Sequence, residues 1–99
     1  MSEVKVAKQV TVTNPEGVHA RPADMIVKAA ARFRSQITII RGYERIDTKS
    51  ILSILTIGAT CGTELTIEAN GPDAEEAIQC IIDLFRRNFE EANETPGGK

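Results

Sequence analysis

The 99-residue chain holds one histidine, and the residues around it are those an anion needs. The stretch is Gly17-Val18-His19-Ala20-Arg21-Pro22-Ala23. An imidazole is partly neutral near neutral pH, and the neutral ring is a nucleophile that can take up a phosphoryl group. Arg21, two residues on, brings a planar guanidinium whose fork matches phosphate oxygens. Asn14-Pro15-Glu16-Gly17 is dense in turn formers, and Pro22 suits a first helical turn, where its missing N–H costs nothing. These signals put His19 at or beside a helix N-cap. Backbone amides without helical partners and the positive end of the helix dipole make that position an anion site. At such a cap, Nδ1 is expected about where an aspartate oxygen would sit, so a phosphate on it would lie over the amides. A capping or solvated histidine is the competing reading, although Ser, Thr, Asp and Asn cap better. A nucleophile able to carry an anion, beside groups that would hold it, describes a phosphate relay.

The flanking pattern supplies the elements that must position this stretch. Val4, Val6, Val10 and Val12 share one side of a strand, with Lys5, Thr11 and Thr13 opposite. Ala23, Ile26, Val27 and Ala30 recur at helical spacing, and that helix is expected to end near Phe33-Arg34. Gln36 to Arg41 alternates as a strand with Ile37 and Ile39 on one side, and Tyr43 to Asp47 reads as its short return after Gly42. Ser50 to Ile57 reads as a short apolar helix stopped by Gly58, and Glu64 to Glu68 as a strand with Leu65 and Ile67 facing in. Asn70-Gly71-Pro72-Asp73 reads as a turn leading into an N-cap, with Glu75 and Glu76 suited to the first helical turn. Ala77, Ile78, Ile81, Leu84, Phe85 and Phe89 stripe a long final helix with Arg86 and Arg87 near its end. The order is strand, helix, strand, strand, short helix, strand, helix. It predicts an α+β two-layer sandwich, a pattern shared by ferredoxin-like domains. One domain is expected over residues 1–91, with 92–99 a frayed tail.

Composition narrows the function classes. Hydrophobic residues make up 41% of the chain, enough for one modest core and too little for a large buried cleft. Twelve basic and fourteen acidic residues leave a formal charge of −2, which argues against a nucleic-acid binder driven by a basic surface. Nothing near the N-terminus pairs a basic start with an apolar run, so a cytoplasmic protein without signal peptide or membrane helix is expected. Cys61 and Cys80 form no CxxC pair and read as free thiols, with Cys80 filling a helix face. One histidine and two scattered cysteines argue against a zinc site.

Three segments together resemble the HPr family, the histidine-containing phosphocarriers of the bacterial phosphoenolpyruvate-dependent sugar phosphotransferase system. Gly17 to Ala23 is similar to the family's active-site motif. Lys49-Ser50-Ile51-Leu52-Ser53-Ile54-Leu55 resembles its short helix and regulatory serine, and Gly62-Thr63-Glu64-Leu65-Thr66-Ile67 resembles the glycine turn into its last strand. The likeness runs from about Val4 to about Glu91, with the segments in the family's order and spacing. It implies an open-faced sandwich, a four-stranded antiparallel sheet with its helices on one face. It also implies phosphorylation of His19 at Nδ1, phosphoryl binding by Arg21, and no cofactor or metal. Gly17 is expected to supply a backbone angle that closes the loop over His19, and Pro22 to be structural.

Ser50 reads locally as an N-cap, and the resemblance makes it a candidate regulatory phosphorylation site for a dedicated HPr kinase. Ile51, Leu52, Ile54 and Leu55 cannot all face one core, so about half of them should be exposed. Exposed apolar patches mark partner surfaces. By resemblance Ile51, Leu52 and Leu55, with Ala20, are the candidates for docking enzyme I and enzyme IIA. The Gly42-Tyr43-Glu44-Arg45 turn is bulkier and more charged than the small polar hairpin common in the family.

The expected function is that of a monomeric carrier, not a stand-alone enzyme. Phospho-enzyme I, charged by phosphoenolpyruvate, gives its phosphoryl group to His19, which passes it to an enzyme IIA for sugar uptake and its regulation. A same-family alternative serves a nitrogen-related or dihydroxyacetone kinase branch. From other classes come a vestigial interaction module and an acylphosphatase-like hydrolase. The hydrolase would need an asparagine near Arg21 to orient water, and neither Asn14 nor Asn70 has an obvious place there.

Overall fold

The computed structural model describes residues 4–90. Its elements are β1 (Val4–Thr11), α1 (Ala20–Ala30), β2 (Gln36–Arg41), β3 (Glu44–Asp47), α2 (Ile51–Thr56), β4 (Glu64–Gly71) and α3 (Ala74–Arg86). The four strands form one sheet in the order β1-β4-β2-β3, and every neighbouring pair is antiparallel. Alternation along the strands decides the two faces. Ile37 and Ile39 of β2 sit opposite Ala69 and Ile67 of β4, and all four are buried. Thr38 and Glu68, paired between them, lie on the other face, where Arg45 and Lys5 both bridge to the Glu68 carboxylate. The helices cover the first face alone, with Ile26, Ile54, Ile78 and Ile81 wholly buried against the sheet's apolar residues. The expected α+β open-faced sandwich, with its element order, is the observed fold. The 92–99 tail lies outside the described residues, as does the last residue assigned to the 1–91 domain.

Several boundaries differ from the sequence reading. α1 stops at Ala30, short of Phe33-Arg34. Its last amides, of Arg32 and Phe33, bond three residues back, a tightening that ends the helix. The next two amides, of Arg34 and Ser35, are taken by the Asp73 carboxylate at 2.9 and 2.8 Å. Asp73 is the N-cap residue of α3, yet its side chain makes no capping bond, because it is engaged with this distant loop. The Ser35 hydroxyl also donates to it at 2.5 Å. Those contacts, the Ser35 hydroxyl first and the Arg34 amide next, hold the Asp73 carboxyl down at about 2 from the usual 3.8. Asn70 and Gly71 extend β4 rather than forming a turn, since β1 begins early enough for Val4 to pair with Gly71. A Cβ on Gly71 would lie 2.6–2.9 Å from Ser35 atoms, so glycine is what admits the serine to this cluster. Tyr43 sits in the exposed turn before β3 rather than within the strand. In β1, Val6 and Val10 pack against the core and Val4 at the sheet edge stays 42% exposed, while Val12, just past the strand, is buried.

α3 ends at Arg86, before Phe89. The Phe89 amide donates to Leu84 O at 2.8 Å and the Asn88 amide to Phe85 O at 3.1 Å. This is a Schellman closure, with Asn88 at φ 54° where glycine is usual. Phe89, also left-handed at φ 61°, turns back into the core and packs edge-on against Phe85 at 4.8 Å. A helical stripe therefore identified a core residue that reaches the core from outside the helix.

Candidate functional site

His19 is the N-cap residue of α1. The Ala23 amide donates to the His19 carbonyl at 2.9 Å, closing the first turn. Of the amides preceding Ala23 that have no helical partner, Pro22 contributes none. The loop leading to His19 is tied down at several points. Val12 exchanges backbone bonds with Thr63 and Gly62 at 2.9 and 2.7 Å, and the Val18 amide donates to Ala59 O at 2.8 Å. Within the loop the Gly17 amide donates to Asn14 O, and Asn14 Nδ2 donates to Gly17 O at 2.7 Å. Gly17 has φ +72°, and a Cβ there would fall 2.5 Å from Ala59 O. Both the left-handed backbone and the close approach require glycine. Gly17 thus takes the unusual backbone angle, and the contact that needs it is closure of the loop onto the segment between α2 and β4.

One detail differs from the sequence reading. The His19 side chain makes no capping hydrogen bond, so Nδ1 does not stand in for an aspartate oxygen. Its Nε2 instead lies 2.9 Å from Glu16 Oε1. The turn at Asn14–Gly17 brings Glu16 within reach, and a carboxylate is a stronger acceptor for a ring N–H than any neutral group nearby. Both side chains remain open to solvent, His19 at 47% and Glu16 at 77% exposure.

His19, Arg21 and Pro22 line one open hollow of about 340 Å³, together with Asn14, Pro15, Glu16, Asn88, Phe89 and Glu90. Arg21 is exposed, and Pro22 is buried on the first turn. Of the residues that the sequence groups here, His19, Arg21 and Pro22 line the hollow and Gly17 does not, while the lining adds Glu16, Asn14 and Asn88, which the sequence reading missed. Glu16 was readable as the residue three before His19 across a turn. Asn88 comes from the other end of the chain, held by a hydrogen bond from Thr13 Oγ1, and no local signal announces it. Asn14 does lie in the hollow with Arg21, contrary to the sequence reading. Its Nδ2 is used on Gly17 O and the residue is buried, so it is not posed to orient a hydrolytic water. Asn70 is on β4, away from the hollow.

The short helix divides as expected. Ile54 is fully buried, whereas Leu52 and Leu55 are 72% and 36% exposed. Ile51 is half-buried against the core, which reduces what it can offer a partner. Helix α2 packs against α1, and Ala20 is exposed on the first turn of α1. Ser50 is the N-cap of α2, its Oγ accepting the Ser53 amide at 3.3 Å. Arg41 closes the other end, donating to the Ile57 and Gly58 carbonyls at 2.8 and 3.2 Å. Cys61 is an exposed free thiol and Cys80 a half-buried one. Among the described residues no helix is long and apolar enough to cross a membrane, and no three His, Cys, Asp or Glu side chains gather as metal ligands.

Comparison with known proteins agrees with this geometry. The family described as "PTS HPr component phosphorylation site" matches residues 6–87. Phosphocarrier protein HPr of Treponema pallidum is 46% identical over 86 residues, which span 87% of this chain and 98% of the relative. The crystal structure of HPr-C-His from Thermoanaerobacter tengcongensis superposes with a TM-score of 0.82 at 36% identity, covering 87% of this chain and 98% of that one. The histidine-containing phosphocarrier protein of a mycoplasma follows with a TM-score of 0.79, also at 36% identity, over 85% of this chain and 97% of that one. On sequence and fold together, the chain belongs to the HPr family of phosphocarrier proteins of the phosphotransferase system.

Proposed function

We propose that His19 accepts a phosphoryl group on Nδ1 from phospho-enzyme I, itself charged by phosphoenolpyruvate, and passes it to a histidine of an enzyme IIA in the cytoplasm. The observation that carries this reading is the chain's single histidine at the N-cap of an eleven-residue helix, with its ring not used on the cap. Arg21 lines the same hollow and is assigned to the phosphoryl oxygens, which a guanidinium meets in bidentate fashion. The hollow is open to solvent, which suits a carrier whose transfer sites are completed by partner proteins. Leu52 and Leu55 are the exposed apolar residues for those partners, joined by Ala20 and the accessible edge of Ile51. The carrier acts as a monomer and needs no cofactor. A hydrolase is disfavoured, because both asparagines of the hollow are engaged in holding loops: Asn14 Nδ2 donates to Gly17 O, and Asn88 Oδ1 accepts from Thr13 Oγ1.

Ser50 is a second proposed site, a regulatory position for an ATP-dependent kinase. Phosphorylation adds about −1.5 to −2 charge beside Leu52 and Leu55. Desolvating that charge against a partner is costly, so enzyme I-dependent labelling of His19 should slow while the fold survives. Labelling rates of wild type, Ser50→Ala and Ser50→Asp test this. Equal rates for all three would leave Ser50 as a helix cap only. The test of the main reading is mass spectrometry after incubation with enzyme I and phosphoenolpyruvate, in wild type and His19→Ala.

A further inference from the structure

We propose that Glu16 is a positioning residue for phosphoryl transfer, one that fixes which ring nitrogen of His19 is the nucleophile and faces the charge that forms on the ring. The inference rests on the reading of His19 as phosphoryl acceptor. A carboxylate accepts hydrogen bonds and cannot donate one, so a 2.9 Å contact between Glu16 Oε1 and His19 Nε2 requires the proton on Nε2. In the neutral ring that leaves the lone pair on Nδ1. The contact is built by the loop: Gly17 N–H donates to Asn14 O at 3.1 Å, and Asn14 Nδ2 returns to Gly17 O at 2.7 Å, closing the turn that carries Glu16. Asn14 is itself buried, so the turn is anchored from below while Glu16 stays in solvent. The charged groups lining the hollow are Glu16, Arg21 and Glu90, and Glu16 is the one paired to the ring.

In the step, the Nδ1 lone pair forms a new N–P bond while the bond from phosphorus to the donor's ring nitrogen breaks and returns its electron pair to the donor. Nε2 keeps its proton, so His19 becomes a phosphorylated imidazolium with the Glu16 carboxylate against its N–H. Onward transfer reverses this: the N–P bond breaks, its pair returns to Nδ1, and the ring is neutral again. A protonated ring is the better leaving group, so the same contact assists both halves of the relay. The logic is that of a carboxylate holding a histidine in its working tautomer, here in solvent and therefore weaker.

The test uses ¹⁵N-histidine-labelled protein and phosphoramidate, a small reagent that phosphorylates histidine without a partner protein, ammonia leaving as the N–P bond forms. In Glu16→Ala the ratio of Nε2–H to Nδ1–H in the neutral ring should fall about fivefold, and phosphoramidate labelling should slow by about as much, the ceiling for an exposed pair. Glu16→Gln, whose Oε1 still accepts, should keep most of the tautomer ratio. The phosphorylated ring should pass its phosphoryl group on more slowly in both variants, by up to about fivefold, because neither carries the carboxylate charge against the Nε2 proton. Equal tautomer ratios and equal transfer rates in all three proteins would overturn the role of Glu16. Wild type that responds this way but takes no label from enzyme I would instead overturn the relay reading and leave Glu16's role standing.

Discussion

At the N-terminus of α2 the Ser50 hydroxyl accepts the Ser53 amide, while at the N-terminus of α1 His19 leaves the corresponding amides alone and turns its ring to Glu16. The two helices use the same position differently. A side-chain cap contributes about 1 kcal/mol, so α2, only six residues long, takes its capping energy and α1 forgoes it. α1 can do so because Pro22, Ala23, Ile26, Ala29 and Ala30 are buried, and packing rather than capping holds it in place. α3 gives a third case. Asp73 is of the best capping type, yet its carboxylate crosses to Arg34 and Ser35. Residue type at a cap therefore does not decide what the side chain does; the partners within reach decide it.

The largest effect that sharpens the comparison belongs to Arg21. Arg21→Ala should slow transfer about 10- to 100-fold, the loss of a charge-assisted pair in the transferring state. Its stability should change by no more than about 0.5 kcal/mol, as for a surface substitution. A melt as damaged as that of a core truncation, with normal transfer by the folded fraction, would return Arg21 to a structural role. Next come the caps themselves. Ser50→Ala should destabilise by about 1 kcal/mol, whereas His19→Ser, which gains a capping hydroxyl, should stabilise by roughly 0.5–1 kcal/mol while losing the carrier function. Denaturant melts of both variants measure this, and an unchanged Ser50→Ala would erase the contrast. The smallest effect concerns Asp73. Its folded carboxyl sits at about 2, below the ordinary 3.8, so its contribution is present above about pH 4 and is lost as pH falls towards 2. In Ser35→Ala the decline of Tm between pH 4 and pH 2 should be shallower than in wild type. Parallel curves would detach Ser35 from the acid stability.

The sequence carried the element order, the sheet faces and the histidine motif, because each rests on periodicity or on neighbours within a turn. Ile37, Ile39, Leu65 and Ile67 alternate, and they are buried. It did not carry contacts between residues far apart in the chain. The end of α1 depends on Asp73, thirty-nine residues beyond Arg34, and Gly71 was read as a turn former when it is a strand residue that admits Ser35. Phe89 was assigned to the right core by the wrong route, since only the Schellman closure at Asn88 shows how it returns. At the site, His19 and Arg21 were legible from type and spacing. Glu16 was legible in principle, but that the ring donates to it, rather than accepting from the helix amides, follows from a charged acceptor lying 2.9 Å away. Asn88 reaches the hollow through tertiary packing alone.

The central claim is that His19 carries the phosphoryl group, and it is tested most directly by intact-mass and peptide mass spectrometry after incubation with enzyme I and phosphoenolpyruvate. One phosphoryl group should appear on the His19 peptide, stable in base and lost in acid as an N–P bond requires, and His19→Ser should take up none. Label that persists in His19→Ser, or wild type that stays unlabelled beside an active enzyme I, would contradict it.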